Sequence, residues 1–287
     1  MPMISIILPA RNEAAALQIL LPELRQAYPD AEVVVVNDAS TDETAQVAAA
    51  HGARVVAHRY PMGNGAAVKT GARAASGDVL VFMDADGQHD PADIPRLVET
   101  LSTGFDMVVG ARSSRSQAGI GRLAANGFYN WFASRLVGQR IADLTSGMRA
   151  VDARKFRSFL HLLPNGFSYP TSITMAFFRA GYGVGYVPIH ARTRVGKSHI
   201  RPLRDGIRFL LIIFKIGTLY SPLRIFVPIS ASFFGLGAGY YLYTFLAFSR
   251  FTNMSALLLT TSVIVFLIGL ISEQITTLLY SQRPDGG

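Results

Sequence analysis

Along the first hundred residues, short β-branched runs alternate with alanine-rich stretches of helical period. Residues 4–8, 32–36, 54–57, 79–83 and 106–109 have the strand pattern, and residues 13–27, 42–50, 65–75 and 91–101 the helical one. Such alternation predicts an α/β unit, a mostly parallel sheet covered by helices, with ligands beyond the carboxyl ends of the strands. Beyond residue 200 the texture changes. The run 225–248 is uncharged and long enough to cross a hydrocarbon core of about 30 Å. A second uncharged run, 251–272, follows, with helical character continuing past Glu273 to Tyr280. The connection at 249–253 is so short that the two spans must form a helical hairpin. A pair of buried helices in a large soluble core is the alternative, but core helices seldom stay uncharged for six turns. Glu273 is expected near the membrane interface or against a partner helix.

Charge then orients the chain. Lys197, Arg201, Arg204, Arg208, Lys215 and Arg224 precede the first span, whereas the hairpin connection offers only Arg250. The positive-inside rule therefore places the N-terminal domain and the C-terminal tail in the cytoplasm. On a helix, Arg201, Arg204, Arg208 and Lys215 fall within a wedge of about 60°, with Leu203, Ile207, Leu210 and Phe214 on another side. This predicts an amphipathic helix on the membrane surface, with packing against the N-terminal domain as the alternative. The expected organisation is a domain at 1–200, an interfacial helix at 201–224, spans at 225–248 and 254–280, and a tail at 281–287.

Composition narrows the partners. Half of the residues are hydrophobic, which is high for a purely soluble protein. There are no cysteines, so disulfides and thiolate metal sites are excluded and a metal would need oxygen or imidazole ligands. The formal charge of +8 calls for an anionic partner. Because the basic residues gather beside the spans rather than on an aromatic-studded face, phosphorylated substrates and lipid headgroups fit better than nucleic acid. The apolar stretch 3–8 is too short for a signal-peptide core and ends at Pro9.

The strongest chemical signal is Asp84-Ala85-Asp86-Gly87-Gln88-His89, at the end of an apolar strand. Asp84 and Asp86 suit a hard cation that also binds a diphosphate, and Gln88 can add an oxygen. Taken alone, such a pair is more often a loop or helix cap, and Asp90-Pro91 is itself a cap pattern. Two other strand ends carry polar motifs. Pro9-Ala10-Arg11-Asn12-Glu13 opens a helix, and Asn37-Asp38-Ala39-Ser40-Thr41-Asp42 offers Asp38 to a base or ribose while Ser40, Thr41 and Asp42 look like caps. The turn from Gly63 to Gly71 either presents helix amides to phosphate or is a plain helix start. Arg112, Arg115 and Arg122 form a basic group after the fifth strand, and Arg194 and Lys197 precede the amphipathic segment. Arginine forks bind phosphate well, though taken singly Arg112, Arg115 and Arg122 are each more often solvated surface charges. Asp143 either orients a substrate or caps the Thr145-Ser146-Gly147 turn. His89 and His190 are assigned hydrogen-bonding roles, since no paired spacing supports zinc. Phe128, Tyr129, Trp131 and Phe132 could meet lipid, but packing is the commoner task of such a cluster.

In this order the motifs resemble the family-2 glycosyltransferases of the GT-A fold, within the dolichyl- or polyisoprenyl-phosphate sugar synthase group. They include Val109-Gly110-Ala111-Arg112, Asp143 to Arg149 and Arg194 to Ser198, and the resemblance covers residues 4 to about 200. It implies a Rossmann-like nucleotide-diphospho-sugar domain, followed here by the interfacial helix and transmembrane hairpin. It implies that Pro9, Arg11, Glu13, Asp38, Gly63, Asp84 and Ala85 meet the nucleotide, and that Asp84, Asp86 and Gln88 hold Mg²⁺ or Mn²⁺. It also implies that Arg112, Arg122, Asn126, Arg194 and Lys197 meet an acceptor phosphate. Asn126 stands where such enzymes often carry serine, and Asn64 where they often carry lysine.

The implied reaction is inverting transfer of a hexose from a nucleotide-diphosphate sugar to a polyisoprenyl phosphate, with Asp86, Asp143, Arg112, Arg122 and Arg194 as its central residues. A lipid phosphate, with its second pKa near 6, is largely ionised at neutral pH and needs no strong base. Transfer to a saccharide or another lipid would need one for a neutral hydroxyl. A non-catalytic nucleotide-binding membrane scaffold is the remaining alternative, and intact Asp84, Asp86 and Gln88 argue against it. The spans leave room for a homo-oligomer formed through the transmembrane helices.

Overall fold

The computed structural model describes residues 2–112, 120–166, 169–190, 211, 214 and 217–281, with the side chains of 120–126 and 279–281 excepted. The chain divides into two compact units, residues 1–134 with 139–210, and residues 135–138 with 211–287.

In the first unit, β1 (Ile4–Ala10), β2 (Glu32–Asn37), β3 (Arg54–Ala57) and β4 (Val79–Phe82) alternate with α1 (Ala14–Ala27), α2 (Thr44–Ala50) and α3 (Asn64–Ala74). A 3-10 turn, Pro91–Asp93, leads into α4 (Ile94–Ser102), then β5 (Met107–Arg112), α5 (Ile120–Val137), β6 (Arg149–Asp152), α6 (Ala153–Ser158), α7 (Tyr169–Arg179) and β7 (Val184–Ile189). The seven strands lie in the order β3-β2-β1-β4-β6-β5-β7. All pairs are parallel except those of β6, which runs antiparallel to β4 and β5. The expected strands are all present, each within a few residues of its predicted bounds, while β6 and β7 are additions. With only four residues, opening on Arg149 and closing on Asp152, β6 carries no strand pattern.

Burial explains the sheet. Ile6, Leu8, Val33 and Val35 point to one face against Leu17, Leu21 and Leu24 of α1 and Leu97 of α4. On the other face α3 lies so close that a Cβ at Gly71 would meet Ile7 Cγ2 at 2.3 Å. Register then aligns the carboxyl ends: Ala10 pairs with Asn37, and Ile7 with Phe82. The polar motifs after β1, β2 and β4 therefore emerge side by side.

The second unit contains α8 (Leu223–Phe248) and α9 (Asn253–Ser281), joined through Ser249 in a left-handed conformation (φ 49°). Each has a stretch apolar enough to cross a membrane, with mean hydropathy 1.4 and 2.4, and only 17% of each stretch is buried. Core helices of a soluble protein bury most of such surface, whereas Leu242, Leu246, Leu257 and Ile271 here point outward. The helices meet through small residues: Ser230 Oγ donates to Ser262 O at 2.9 Å, and Gly237 packs on Leu258 and Leu259. Most of the segment 201–224 expected to be interfacial, and nearly all of the tail 281–287, lie outside the described residues.

Candidate active site

The turn after β1 is held by the motif after β2. Asn12 adopts φ 56°, its N–H donates to Ser40 Oγ at 2.9 Å, and its Oδ1 accepts from the Thr41 N–H at 2.8 Å. The amides opening α1 are capped across the gap, Glu13 N–H on Thr44 Oγ1 and Ala14 N–H on Asp42 Oδ2, at 3.0 and 3.2 Å. Ser40, Thr41 and Asp42 thus fasten one strand end to the next, and Pro9, Arg11 and Glu13 are left lining a cleft of about 380 Å³.

Asp38 lines the same cleft but spends much of its carboxylate on the protein. Oδ1 accepts from the Met62 N–H at 2.7 Å and lies 2.8 Å from His58 Nδ1, while Oδ2 accepts from the Gly63 N–H at 2.9 Å. Burial alone would raise its pKa; the hydrogen bonds of His58 and the two amides outweigh burial and hold it below the usual value. Gly63 needs to be glycine twice over, having φ 98° and lying so near Asn165 that a Cβ would sit 2.6 Å from its carbonyl oxygen. At the start of α3 the Gly65 and Ala66 amides donate to Gly166 O and Asn165 O at 3.2 and 3.0 Å. Two of the amides opening α3 are therefore taken by a neighbouring loop, while Gly63 and Asn64 line the cleft.

Asp84, Ala85 and Asp86 form the cleft floor. The Asp84 N–H donates to Nδ1 of buried His89 at 3.1 Å, giving that histidine a hydrogen-bonding role, and the Gln88 N–H donates to Asp86 Oδ1 at 3.1 Å. His190 is exposed. Asp84 leans against Gly147, where an added Cβ would fall 2.5 Å from Oδ2. Among the described residues no three His, Asp or Glu gather as a complete metal cage. The donor set still fits a small divalent cation, with two carboxylates on one turn and a space beside Asp84 that only glycine preserves, although Gln88 is not among the residues lining the cleft. Mg²⁺-like ions normally take one or two carboxylates and complete their shell with water and phosphate oxygens.

Arg112, at the end of β5, and Asp143 are not among the residues lining the cleft. Asp143 Oδ2 accepts from the Arg112 N–H and Nε at 3.2 and 2.9 Å, and Oδ1 from Arg112 Nη2, the Thr145 N–H and the Ser146 N–H at 3.1, 3.0 and 3.1 Å. Burial would raise the Asp143 carboxyl, but the bonds and charge of Arg112 hold it low. Burial would lower the Arg112 guanidinium, but Asp143 and the charge of Asp84 raise it. Of the two alternatives for Asp143, the geometry is that of the cap, with Arg112 added to it.

Arg122 and Asn126 fall on α5, but their side chains, like Arg115, Arg194 and Lys197, lie outside the described residues. Phe128 and Trp131 do not take the packing role expected of them: they are 49% and 62% exposed, and the Phe128 ring lies against those of Tyr129, Trp131 and Phe132. Sequence reasoning missed Thr145, Gly147, Tyr169 and Pro170, which complete the cleft wall. Thr145 and Gly147 stood inside a quoted motif; Tyr169 and Pro170 sit in an apolar helix and carry no separate signal.

The Glycosyl transferase family 2 model matches residues 5–159, more than half of the chain and all of the cleft-lining strand ends. The chain belongs to glycosyl transferase family 2. A second model, the GtrB C-terminal hairpin, matches residues 221–278, the two apolar helices, so this glycosyltransferase is a membrane protein. Undecaprenyl-phosphate mannosyltransferase of Micrococcus luteus is 34% identical over 206 residues, covering 64% of this chain and 81% of the relative. Undecaprenyl-phosphate 4-deoxy-4-formamido-L-arabinose transferase of Pseudomonas fluorescens is 30% identical over 257 residues, covering 82% and 70%. Among solved structures, glucosyl-3-phosphoglycerate synthase from Mycobacterium tuberculosis in complex with Mn²⁺, UDP and glucosyl-3-phosphoglycerate aligns with TM-score 0.58 at 28% identity, over 74% of this chain and 80% of that one. The family-2 sheet of this chain is thus of the GT-A kind.

Proposed function

We propose that this glycosyltransferase moves a hexose from a nucleotide-diphosphate sugar to a polyisoprenyl phosphate, with inversion, at the cytoplasmic face of a membrane. The observation that carries the reading is the placement of Asp84 and Asp86 on the floor of a polar cleft, in a chain that also bears a membrane hairpin. The donor would lie with its nucleoside against Pro9, Arg11, Glu13 and Asp38 and its diphosphate toward Asp84 and Asp86. Asp84, Asp86 and Gln88 would hold Mg²⁺ or Mn²⁺, which when bound neutralises charge on the departing nucleoside diphosphate. The Mn²⁺ and UDP in the structural relative support this assignment.

The acceptor assignment draws on the named relatives and on chemistry. An ionised phosphate oxygen attacks the anomeric carbon, the bond from that carbon to the diphosphate oxygen breaks, and the electron pair leaves with the nucleoside diphosphate. No proton has to be removed first. What the protein must supply is alignment and stabilisation of charge. Arg112, held rigid by Asp143, and Arg122, Asn126, Arg194 and Lys197 are the residues proposed to meet the acceptor phosphate. The basic residues preceding α8, set against the lone Arg250 of the connection, support the cytoplasmic orientation. The test is to incubate the purified full chain in detergent with a panel of nucleotide sugars and polyprenyl phosphate, then weigh the lipid product by mass spectrometry. A hexosyl phosphoryl lipid is expected; no lipid product from any donor would refute the reading.

A further inference from the structure

Arg149, the first residue of β6, is completely buried, and its guanidinium has no carboxylate within ion-pair reach among the described residues. Nη2 donates to Ser146 O at 2.5 Å and Nη1 to Pro170 O and Thr174 Oγ1 at 3.3 Å each, with Met107 Sδ at 3.8 Å. Its carbon centre lies 5.7 Å from the Tyr169 ring centroid, and Nε has no partner. Burying a charge without a counter-ion is among the costliest features a core can hold, and an arginine does not escape by losing its proton. Burial lowers its pKa, and the carboxylates whose fields reach it are Asp143 and Asp84. Asp143 is already matched by Arg112. Asp84 lies in the cleft, against Gly147, the residue after one of the carbonyls that Arg149 holds. Pro170 and Tyr169, on its other side, belong to the cleft wall, and Tyr169 donates its hydroxyl to Gly147 O at 3.3 Å.

We propose that Arg149 is a positioning residue whose buried fixed charge tunes the cleft floor for a nucleoside diphosphate: it favours the anionic ligand and opposes a cation binding alone to Asp84 and Asp86, so that metal entry depends on the donor. The proposal rests on the reading of the cleft as the donor site. A residue that only braced the fold would affect both ligands in the same direction; a fixed charge affects them in opposite directions.

The experiment uses the full chain in detergent, with Arg149→Met removing the charge and Arg149→Lys replacing it by an ammonium that, buried without a counter-ion, can lose its proton. Mn²⁺ alone is titrated by electron paramagnetic resonance, and UDP and GDP are titrated by calorimetry in excess chelator. Arg149→Met is expected to bind Mn²⁺ roughly three- to tenfold more tightly and the diphosphate weaker by a similar factor. Arg149→Lys, whose ammonium can lose its proton at this buried position, is expected to shift the two affinities in the same opposed directions, by no more than Arg149→Met does. Weaker binding of both ligands by either variant, or no change in Arg149→Met, would overturn the proposal. If Arg149→Met does not fold, the lysine variant decides alone, since a bracing role predicts loss on both ligands. Failure of the wild type to bind either diphosphate, in chelator and with Mn²⁺ alike, would instead refute the donor-site reading.

Discussion

Arg112 and Asp143, 31 residues apart in the chain, meet as a two-point fork, with Nε 2.9 Å from Oδ2 and Nη2 3.1 Å from Oδ1. The same carboxylate gathers the Thr145 and Ser146 amides, so the fork fixes both an arginine near Asp84 and the turn that ends at Gly147. Asp143→Ala should cost about 3 kcal/mol of stability, the lower end for a broken buried pair because the Arg112 side chain keeps 25% exposure. Since folding holds the Asp143 carboxyl below its ordinary value, its contribution is complete above a pH near 3.9 and is lost as pH falls toward the folded value. Denaturant unfolding of the wild type and the variant between pH 3 and 7 checks this: the gap between them should narrow only at the acid end.

Gly147→Ala should impair catalysis more than folding. Its Cβ would fall 2.5 Å from Asp84 Oδ2, so the carboxylate must move, whereas the backbone carries no positive-φ constraint there. A loss of at least about tenfold in kcat/KM is expected, with the melting temperature within a few degrees of wild type. Asp86→Ala should lose at least about a hundredfold with the fold kept, because it removes a polar cleft group and leaves no core cavity. Wild-type turnover of Asp86→Ala, or undiminished turnover of the native enzyme in excess chelator, would rule out the metal role.

Much of the fold was legible because both-face burial writes itself as unbroken runs such as Val33 to Val36, and hydrocarbon thickness as uncharged runs such as 225–248. Legibility ended where a residue's task depends on partners distant in sequence. Asp38 looked like a ligand contact, and its carboxylate also clamps the turn at Met62 and Gly63, which no local spacing announces. Arg149 and Pro170 meet only because β6 runs antiparallel inside a parallel sheet, and nothing in Arg149-Ala150-Val151-Asp152 marks a strand.

Removing residues 225–287 should release a protein that still binds donor nucleotide but uses long-chain acceptors poorly. Every proposed nucleotide contact precedes residue 100, whereas α8 and α9 supply the apolar surface. Fractionation after a high-salt wash checks the first half, and calorimetry with UDP or GDP the second. A truncated protein that stayed in the membrane would place the anchor elsewhere.

Arg122→Ala and Arg194→Ala should weaken use of the lipid phosphate far more than binding of the nucleotide sugar. A charge-assisted hydrogen bond is worth roughly 1.5 to 3 kcal/mol, or about ten- to more than a hundredfold. Donor affinity by calorimetry and acceptor dependence by kinetics separate the outcomes. Equal losses on both substrates would indicate a folding or donor-site role.

The central claim is that the nucleophile arrives already ionised, as a lipid phosphate. Its most direct measurement compares a polyprenyl phosphate with the free polyprenol of the same chain length as acceptors, using the full chain, the donor that proves active and Mg²⁺ or Mn²⁺. The account predicts transfer to the phosphate and none to the alcohol, since a neutral hydroxyl must lose a proton as it attacks whereas the phosphate oxygen arrives ionised. Comparable transfer to the alcohol would contradict it.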